Sequence, residues 1–157
     1  MNWQGAVESV HFTPTGGGAM QSPEYIRALA GMGIEGDRYC IGIEKGEFSH
    51  IKAPRRQVTL FEREVLDTIR RDNNVSLAAD ECRMNIVTIG VPLTHLMEKE
   101  FRVRDVVLRG LKLNEPCARL QEVTGKRVVK ALVHRCRLFA EIIESGDIRG
   151  GDKITPL

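Results

Sequence analysis

The chain has 157 residues, of which 42% are hydrophobic and 28% charged, with a net charge of +2. This composition is that of an ordinary globular protein long enough to enclose one core, and so mild a charge argues against a nucleic-acid or membrane-surface partner. No apolar run approaches the roughly 18 residues of a membrane span and residues 1–12 lack the apolar segment of a signal peptide, so we expect a single domain over residues 1–157 in the cytoplasm.

The N-terminal part of the chain reads as short strands joined by glycine-rich turns. Residues 7–12 have the pattern of a strand, and a triple glycine follows at residues 16–18. Because this glycine run lacks the Gly-Lys-Ser/Thr ending of a phosphate-binding loop, we interpret it as a flexible turn. Residues 25–30 fit a strand or a helix, and residues 31–38 predict a tight connection in which Asp37 and Arg38 interact locally.

The clearest helix signal follows a short strand predicted at residues 57–60. Thr59 and Glu62 have the spacing of a capping box. An apolar stripe then recurs at helical period and faces the core, and residues 72–74 end the helix. The residues of the stripe are Phe61, Val65, Leu66 and Ile69.

Arg83 and Asn85 stand at the head of a β-branched strand predicted over residues 83–90. If the pleat begins at Arg83, the two side chains share one face, because strand side chains alternate with a period of two. They either lie in solvent or line a pocket, where the planar guanidinium of Arg83 would suit a phosphate or a carboxylate.

The C-terminal part predicts strands at residues 101–103, 106–113 and 138–143, and a turn at residues 146–152 leading into a last strand. Residues 126–135 predict a helix whose inward-facing residues are Val128, Val129, Leu132 and Val133. About seven short strands with two or three helices indicate a mainly β (α+β) fold, a compact β-barrel, and not a parallel βαβ array.

Cys117 is the candidate reactive residue. It follows Pro116, and proline fits the first position of a helix, so Cys117 is expected in a first helical turn. Unpaired N–H groups and the helix dipole there favour a thiolate, the reactive form of cysteine. We therefore expect its pKa to lie below the usual value of about 8.5. Taken alone, however, a buried structural cysteine is the more common role.

The other cysteines and the histidines carry no metal-binding pattern. The four cysteines are widely spaced, without a Cys-x-x-Cys pair, which argues against a zinc ribbon or a thioredoxin-like motif and favours reduced thiols. The four histidines are equally scattered.

Five segments, taken in order, resemble the MOSC domain, the family named for the C-terminal domain of molybdenum cofactor sulfurase. They are residues 33–38, residues 56–60, the set Arg83-x-Asn85-Ile86-Val87, the pair Pro116-Cys117 and residues 150–154. The resemblance covers nearly the whole chain and implies a strand-rich barrel related to the one inserted in pyruvate kinase. The chain departs from the pattern at Asn114, where many members have a second cysteine, and near Arg104 and residues 135–137, where glycine is common.

The resemblance also implies an association with the molybdenum cofactor (molybdopterin). Cys117 matches the functional cysteine, which either ligates the metal or carries sulfur as a persulfide. Arg38, Arg83 and Asn85 match positions expected near the phosphate and pterin of the cofactor, while Asp37 would hold its loop or Arg38 in place.

The activity implied is cofactor-dependent reduction or sulfur transfer. Because the sequence contains no pyridoxal-phosphate desulfurase, flavin or iron–sulfur module, a sulfur donor or an electron-transfer protein would act in trans, and pyridoxal phosphate is not expected in this chain. The alternatives are a non-catalytic binding or carrier module for the cofactor or another anionic ligand, and a structural domain with inert cysteines.

Overall fold

A closed, seven-stranded barrel is the centre of the computed structural model, which describes residues 2–40, 57–116, 118–135 and 137–157. The strands are β1 (Gly5–Val10), β2 (Tyr25–Leu29), β3 (Gly33–Ile34), β4 (Val58–Glu62), β5 (Ile86–Ile89), β6 (Glu100–Val103), β7 (Val106–Asn114), β8 (Arg137–Glu144), β9 (Gly146–Arg149) and β10 (Lys153–Pro156). The order around the barrel is β1-β10-β6-β7-β8-β4-β5, and β5 pairs with β1 to close it. The predicted mainly β barrel with a few helices is therefore confirmed. The α-helices are α1 (Arg63–Asn73), α2 (Ala118–Thr124) and α3 (Val128–Leu132), and a 3-10 turn spans Leu93–His95.

The barrel interior is filled by every second residue of its strands. In β8, for example, Leu138, Ala140 and Ile142 are buried in the same cluster, as period-two alternation requires. Phe101 and Val103 of β6 enter this cluster from another side of the barrel.

A second apolar layer lies between the outer face of the barrel and the helices. The neighbouring residues Phe61 of β4 and Val87 of β5 contribute to it from the barrel side. Leu66 and Ile69 of α1 and Leu132 of α3 cover them. Strands β4 and β5 are parallel, so a long crossover must join them, and α1 lies in that crossover.

A small antiparallel sheet, in the order β3-β2-β9, packs beside the barrel. Residues 25–30, which fitted either a strand or a helix, contain strand β2. The turn predicted at residues 146–152 is shorter than expected: Gly146–Arg149 forms β9, which pairs with β2 along four residues, and the turn is confined to the residues after it.

The capping box predicted at Thr59 is wrong. Thr59 lies inside β4, α1 begins at Arg63, and Glu62 precedes the helix without a side-chain cap. The end of the helix is as predicted, since Asn74 adopts the left-handed conformation and its N–H bonds to the carbonyl of Ile69.

The helix predicted over residues 126–135 is shorter, spanning Val128–Leu132. As a result Val133 lies beyond the helix and is exposed, contrary to the prediction that it faces inward. Within the described residues, no helix has both the length and the apolar character needed to cross a bilayer.

Candidate functional site

Asp37 holds together the turn that follows β3. Its carboxylate accepts hydrogen bonds from the backbone N–H of Thr13 (3.2 Å) and Tyr39 (3.4 Å) and from the guanidinium of Arg38 (3.3 Å). Asp37 thus contacts both its own loop and Arg38, the role expected of it. Burial raises the pKa of the Asp37 carboxyl, while Arg38, the two N–H donors and the Asn85 amide pull the pKa down.

Arg38 connects three segments of the site. Its Nη2 donates to the carbonyl of Arg83 (3.3 Å), and its Nη1 approaches the Met20 sulfur at 3.6 Å as well as Asp37. The backbone N–H of Arg38 donates to the carbonyl of Thr13 at 2.7 Å. The buried guanidinium therefore fixes the backbone that carries Arg83.

Arg83 lies just before β5 and adopts a left-handed conformation, with a φ of 61°. The strand itself begins at Ile86, so the pleat on which the shared face of Arg83 and Asn85 depended does not start at Arg83. Instead the left-handed residue redirects the chain, and Nη1 of Arg83 donates to the carbonyl of Gly18. The triple-glycine turn is therefore part of this site.

Asn85 is a highly connected polar side chain of the site. Its Oδ1 accepts from both the N–H and the hydroxyl of Thr59, each at 3.0 Å, and its Nδ2 donates to the carbonyl of His11 at 3.2 Å. Only 2% of Asn85 is exposed. It therefore ties the start of β4 to the end of β1 and to the Asp37 turn.

A cleft of about 320 Å³ opens beside Arg83. Among the residues that line it are Gly17, Gly18, Met20, Asp80, Arg83 and Thr124. Glu81, which also lines it, is paired with Lys126 at 2.8 Å, and that ammonium holds the pKa of the Glu81 carboxyl below its usual value. The cleft thus has walls from the glycine turn, from the segment before β5 and from α2.

The buried charges of this protein are mainly positive. Within the described ranges, three arginines are buried (Arg38, Arg83 and Arg137), against one buried carboxylate, that of Asp37. Isolated buried charges are costly unless an opposite charge accompanies them. This arrangement therefore favours an anionic ligand.

Cys117 lies outside the described residues. Pro116 is described and is not helical, and α2 runs over Ala118–Thr124. In the described part of the chain, no group of three histidine, cysteine or acidic side chains is placed to hold a metal ion.

The two described cysteines are poor nucleophiles. Burial raises the pKa of Cys40 to about 11, with Asp37 and Glu35 adding to the effect. Burial also raises the pKa of Cys82 to about 12, and its thiol donates to the carbonyl of Ala79. At pH 8 roughly one thiol in a thousand or fewer is ionised at either position.

We expect alkylation of the native protein to discriminate among the cysteines. Cys117 should react with iodoacetamide with a midpoint below pH ~8.5, and at pH 8 at least about a hundredfold faster than Cys40 or Cys82, as followed by mass spectrometry of its peptides. Similar rates at all cysteines in denaturant would serve as the control. A Cys117 no faster than the other two would contradict the assignment of a reactive thiol.

Sequence reasoning predicted Asp37, Arg38, Arg83 and Asn85 as site residues, and the structure places these four side by side. It missed the turn at residues 16–18, although the run of glycines was a signal for close backbone approach. It gave no site role to Arg137, although residues 135–137 stood out as a departure from the family pattern.

Comparison with known proteins finds similarity both in sequence and in fold. A sequence model of the MOSC domain matches residues 34–155. The YuaD protein from Bacillus subtilis has a similar crystal structure, with a TM-score of 0.79, 18% identity, and coverage of 99% of this chain and 96% of that one. At such low identity the likeness concerns the fold.

Two YiiM structures are also similar. YiiM from Escherichia coli has a TM-score of 0.67 at 15% identity, and the match covers 100% of this chain and 70% of that one. YiiM from Geobacillus stearothermophilus has a TM-score of 0.70 at 8% identity, with 98% and 75% coverage. The chain matches no functionally curated protein at a significant level.

Proposed function

The chain belongs to the MOSC domain family, and from this membership and its buried arginines we propose that it binds a molybdopterin-type molybdenum cofactor. In this proposal Cys117 is the metal ligand or a sulfur-carrying thiol. The activity is cofactor-dependent reduction or sulfur transfer.

The buried positive charge is the observation that carries the proposal. Arg38, Arg83 and Arg137 exceed the one buried carboxylate of the described residues, Asp37. The cofactor is anionic through its phosphate, so the arginines suit it, and charge-assisted hydrogen bonds from guanidinium to phosphate are among the stronger polar interactions in proteins. The residues present fit such a group.

The arginines would take different roles. Arg83 lines the cleft, so it is the residue proposed to contact the phosphate. Arg38 donates to the carbonyl of Arg83 and would hold Arg83 in place while adding positive charge. Asn85 and Asp37, whose polar atoms hydrogen-bond within the protein, would support these residues.

Cys117 would act in one of two ways. As a metal ligand, its thiolate would bind molybdenum, and the bound cofactor would supply the redox chemistry while the protein orients it. As a sulfur carrier, the thiolate would attack the outer sulfur of a donor persulfide, forming a Cys117 persulfide and releasing the donor as a thiol. The donor, or the electron-transfer protein of a reductase, would be a separate partner.

Molybdenum retention tests the proposal. Purified protein and its Cys117→Ser variant would be incubated with released molybdenum cofactor, desalted and assayed for metal per chain. We expect near-stoichiometric metal on the wild type and none on the variant if Cys117 is a ligand. Metal on neither protein would contradict stable cofactor binding and leave a persulfide carrier or an inert domain, of which only the carrier should accept cyanide-labile sulfur.

A second variant, Arg83→Ala, tests the proposed phosphate contact in the same retention assay. Arg83→Ala should weaken cofactor retention at least about tenfold, since a charge-assisted hydrogen bond contributes roughly 1.5–3 kcal/mol. Arg109→Ala, which removes an exposed arginine from β7, is the matched control and should retain the cofactor normally. Normal binding by Arg83→Ala, or simple unfolding, would mean that Arg83 is not a phosphate contact.

A non-catalytic carrier is the second candidate, and the buried arginines favour it equally because they require no thiol. Equal metal retention by the wild type and by Cys117→Ser would support this function.

A further inference from the structure

Arg137 is a buried arginine on the outer face of the barrel. It is the first residue of β8 and is only 7% exposed. The next residue, Leu138, points into the barrel, so strand alternation directs Arg137 toward the layer between the barrel and the helices. Across the ladder it faces Asn114, the last residue of β7.

The hydrogen bonds of Arg137 are incomplete. Its Nη2 donates to the carbonyl of Glu115 at 3.1 Å, which sets the orientation of the guanidinium. Its Nε–H is buried and has no hydrogen-bond partner among the described residues, and none of their carboxylates forms an ion pair with the side chain. A buried N–H donor without an acceptor is uncommon and costs free energy, the more so on a charged group.

The described groups near Arg137 do not supply the missing negative charge. The Cys82 thiol, which interacts electrostatically with Arg137, is neutral near pH 7 because burial raises its pKa to about 12. The Glu115 carboxylate turns toward His134, accepting from its backbone N–H at 2.9 Å, and is half exposed. Among the described residues, Arg137 is therefore a buried cation without an acidic partner.

We propose that Arg137 is an anion-binding residue, and that its Nε–H and guanidinium charge bind an oxyanion of the phosphate class beside residues 114–116, at the end of β7. A planar guanidinium matches the spacing of two oxygens on such an anion, which chloride cannot reproduce. Asn114, which faces Arg137 across the ladder, is partly buried, and Glu115, whose carbonyl accepts from Nη2, is exposed. This site requires neither Cys117 nor molybdenum.

The test is a titration of the wild-type protein with inorganic phosphate, at constant ionic strength against chloride, followed by ¹⁵N NMR of the arginine Nε–H signals. We expect one buried Nε–H signal to shift saturably, and Arg137→Lys, which retains the charge but lacks Nε–H, to lose that signal. Calorimetry should show phosphate binding to Arg137→Gln at least about tenfold weaker than to the wild type. Arg109→Gln, which changes an exposed arginine of the adjacent strand, is the control and should bind as the wild type does.

Several outcomes would overturn the proposal. One is that the wild type shows no phosphate-specific shift, and another is that Arg137→Gln or Arg137→Lys binds phosphate with unchanged affinity. A third is that only Arg83→Gln loses phosphate binding, which would place the anion at the cleft instead. If Arg137→Gln fails to fold, the wild-type signal and Arg137→Lys still decide. Repeating the titration with phenyl phosphate distinguishes a phosphomonoester, as on a cofactor, from free phosphate. Because no cofactor is used, absence of molybdenum retention would leave this result unaffected.

Discussion

Replacing Asn85 with alanine is expected to lower the free energy of unfolding by about 3–5 kcal/mol, since each buried polar group left without its partner costs about 1–3 kcal/mol. The change leaves the N–H of Thr59 and the carbonyl of His11 without the partner that the Asn85 amide provides. The Thr59 hydroxyl loses its acceptor and keeps only the bond that it accepts from the backbone N–H of residue 85. Urea denaturation followed by circular dichroism would measure the effect.

Asn73→Ala is the matched control for this substitution. Asn73 is exposed at the end of α1 and accepts one hydrogen bond from Arg135, so its loss should cost no more than about 0.5 kcal/mol. If Asn85→Ala instead kept its stability and only weakened cofactor retention, Asn85 would be a ligand-binding residue and not the connector described above.

Gly110→Ala should be at least as damaging. Gly110 lies in β7 where the backbone of Leu96 crosses it closely, and a Cβ at this position would overlap the Leu96 carbonyl, with the carbonyl carbon at 2.9 Å. The added Cβ would be fixed to the backbone of β7, and the atoms it meets are backbone atoms of Leu96, so neither side can move without disturbing the barrel. We expect a loss of about 4 kcal/mol or more, or failure to fold.

Gly125→Ala is the control for Gly110→Ala, because it also adds a side chain to a glycine but creates no clash. Gly125 has a φ of 67°, and no described atom lies within 4 Å of the place its Cβ would occupy, so alanine there meets conformational strain but no neighbour. Its cost should be about 1–2 kcal/mol. Equal losses at the two glycines, measured by thermal unfolding, would contradict the close approach of Leu96 and β7.

The barrel could be predicted because its strands are short and their buried apolar residues alternate, as do Leu138, Ala140 and Ile142. The wrong capping box at Thr59 shows that local sequence patterns do not include long-range hydrogen bonds. Its hydroxyl matched a capping box, yet it bonds to Asn85, which lies 26 residues further along the chain. A helix cap is a local interaction, whereas the hydroxyl of Thr59 forms a long-range hydrogen bond to Asn85.

The candidate site was predictable in part for a similar reason. Asp37 and Arg38 are adjacent in the sequence, so their contact could be expected. The left-handed conformation of Arg83 has no signal in residue type, since arginine rarely adopts it. Arg137 precedes the strand predicted at residues 138–143, and its burial, with 7% exposed, depends on tertiary packing that the local sequence does not encode.

The pairing of β1 with β10 has a consequence for how the chain folds. Gly5 pairs with Ile154, 149 positions later (154 − 5), so the barrel closes through a contact between distant parts of the chain. Contacts of such high sequence separation slow folding, since the entropy of closing the loop is lost before the contact forms. During synthesis β1 therefore cannot pair with β10 until the last residues of the chain have been made. Until then β1 and β6 each have an unpaired edge to which another chain can bind.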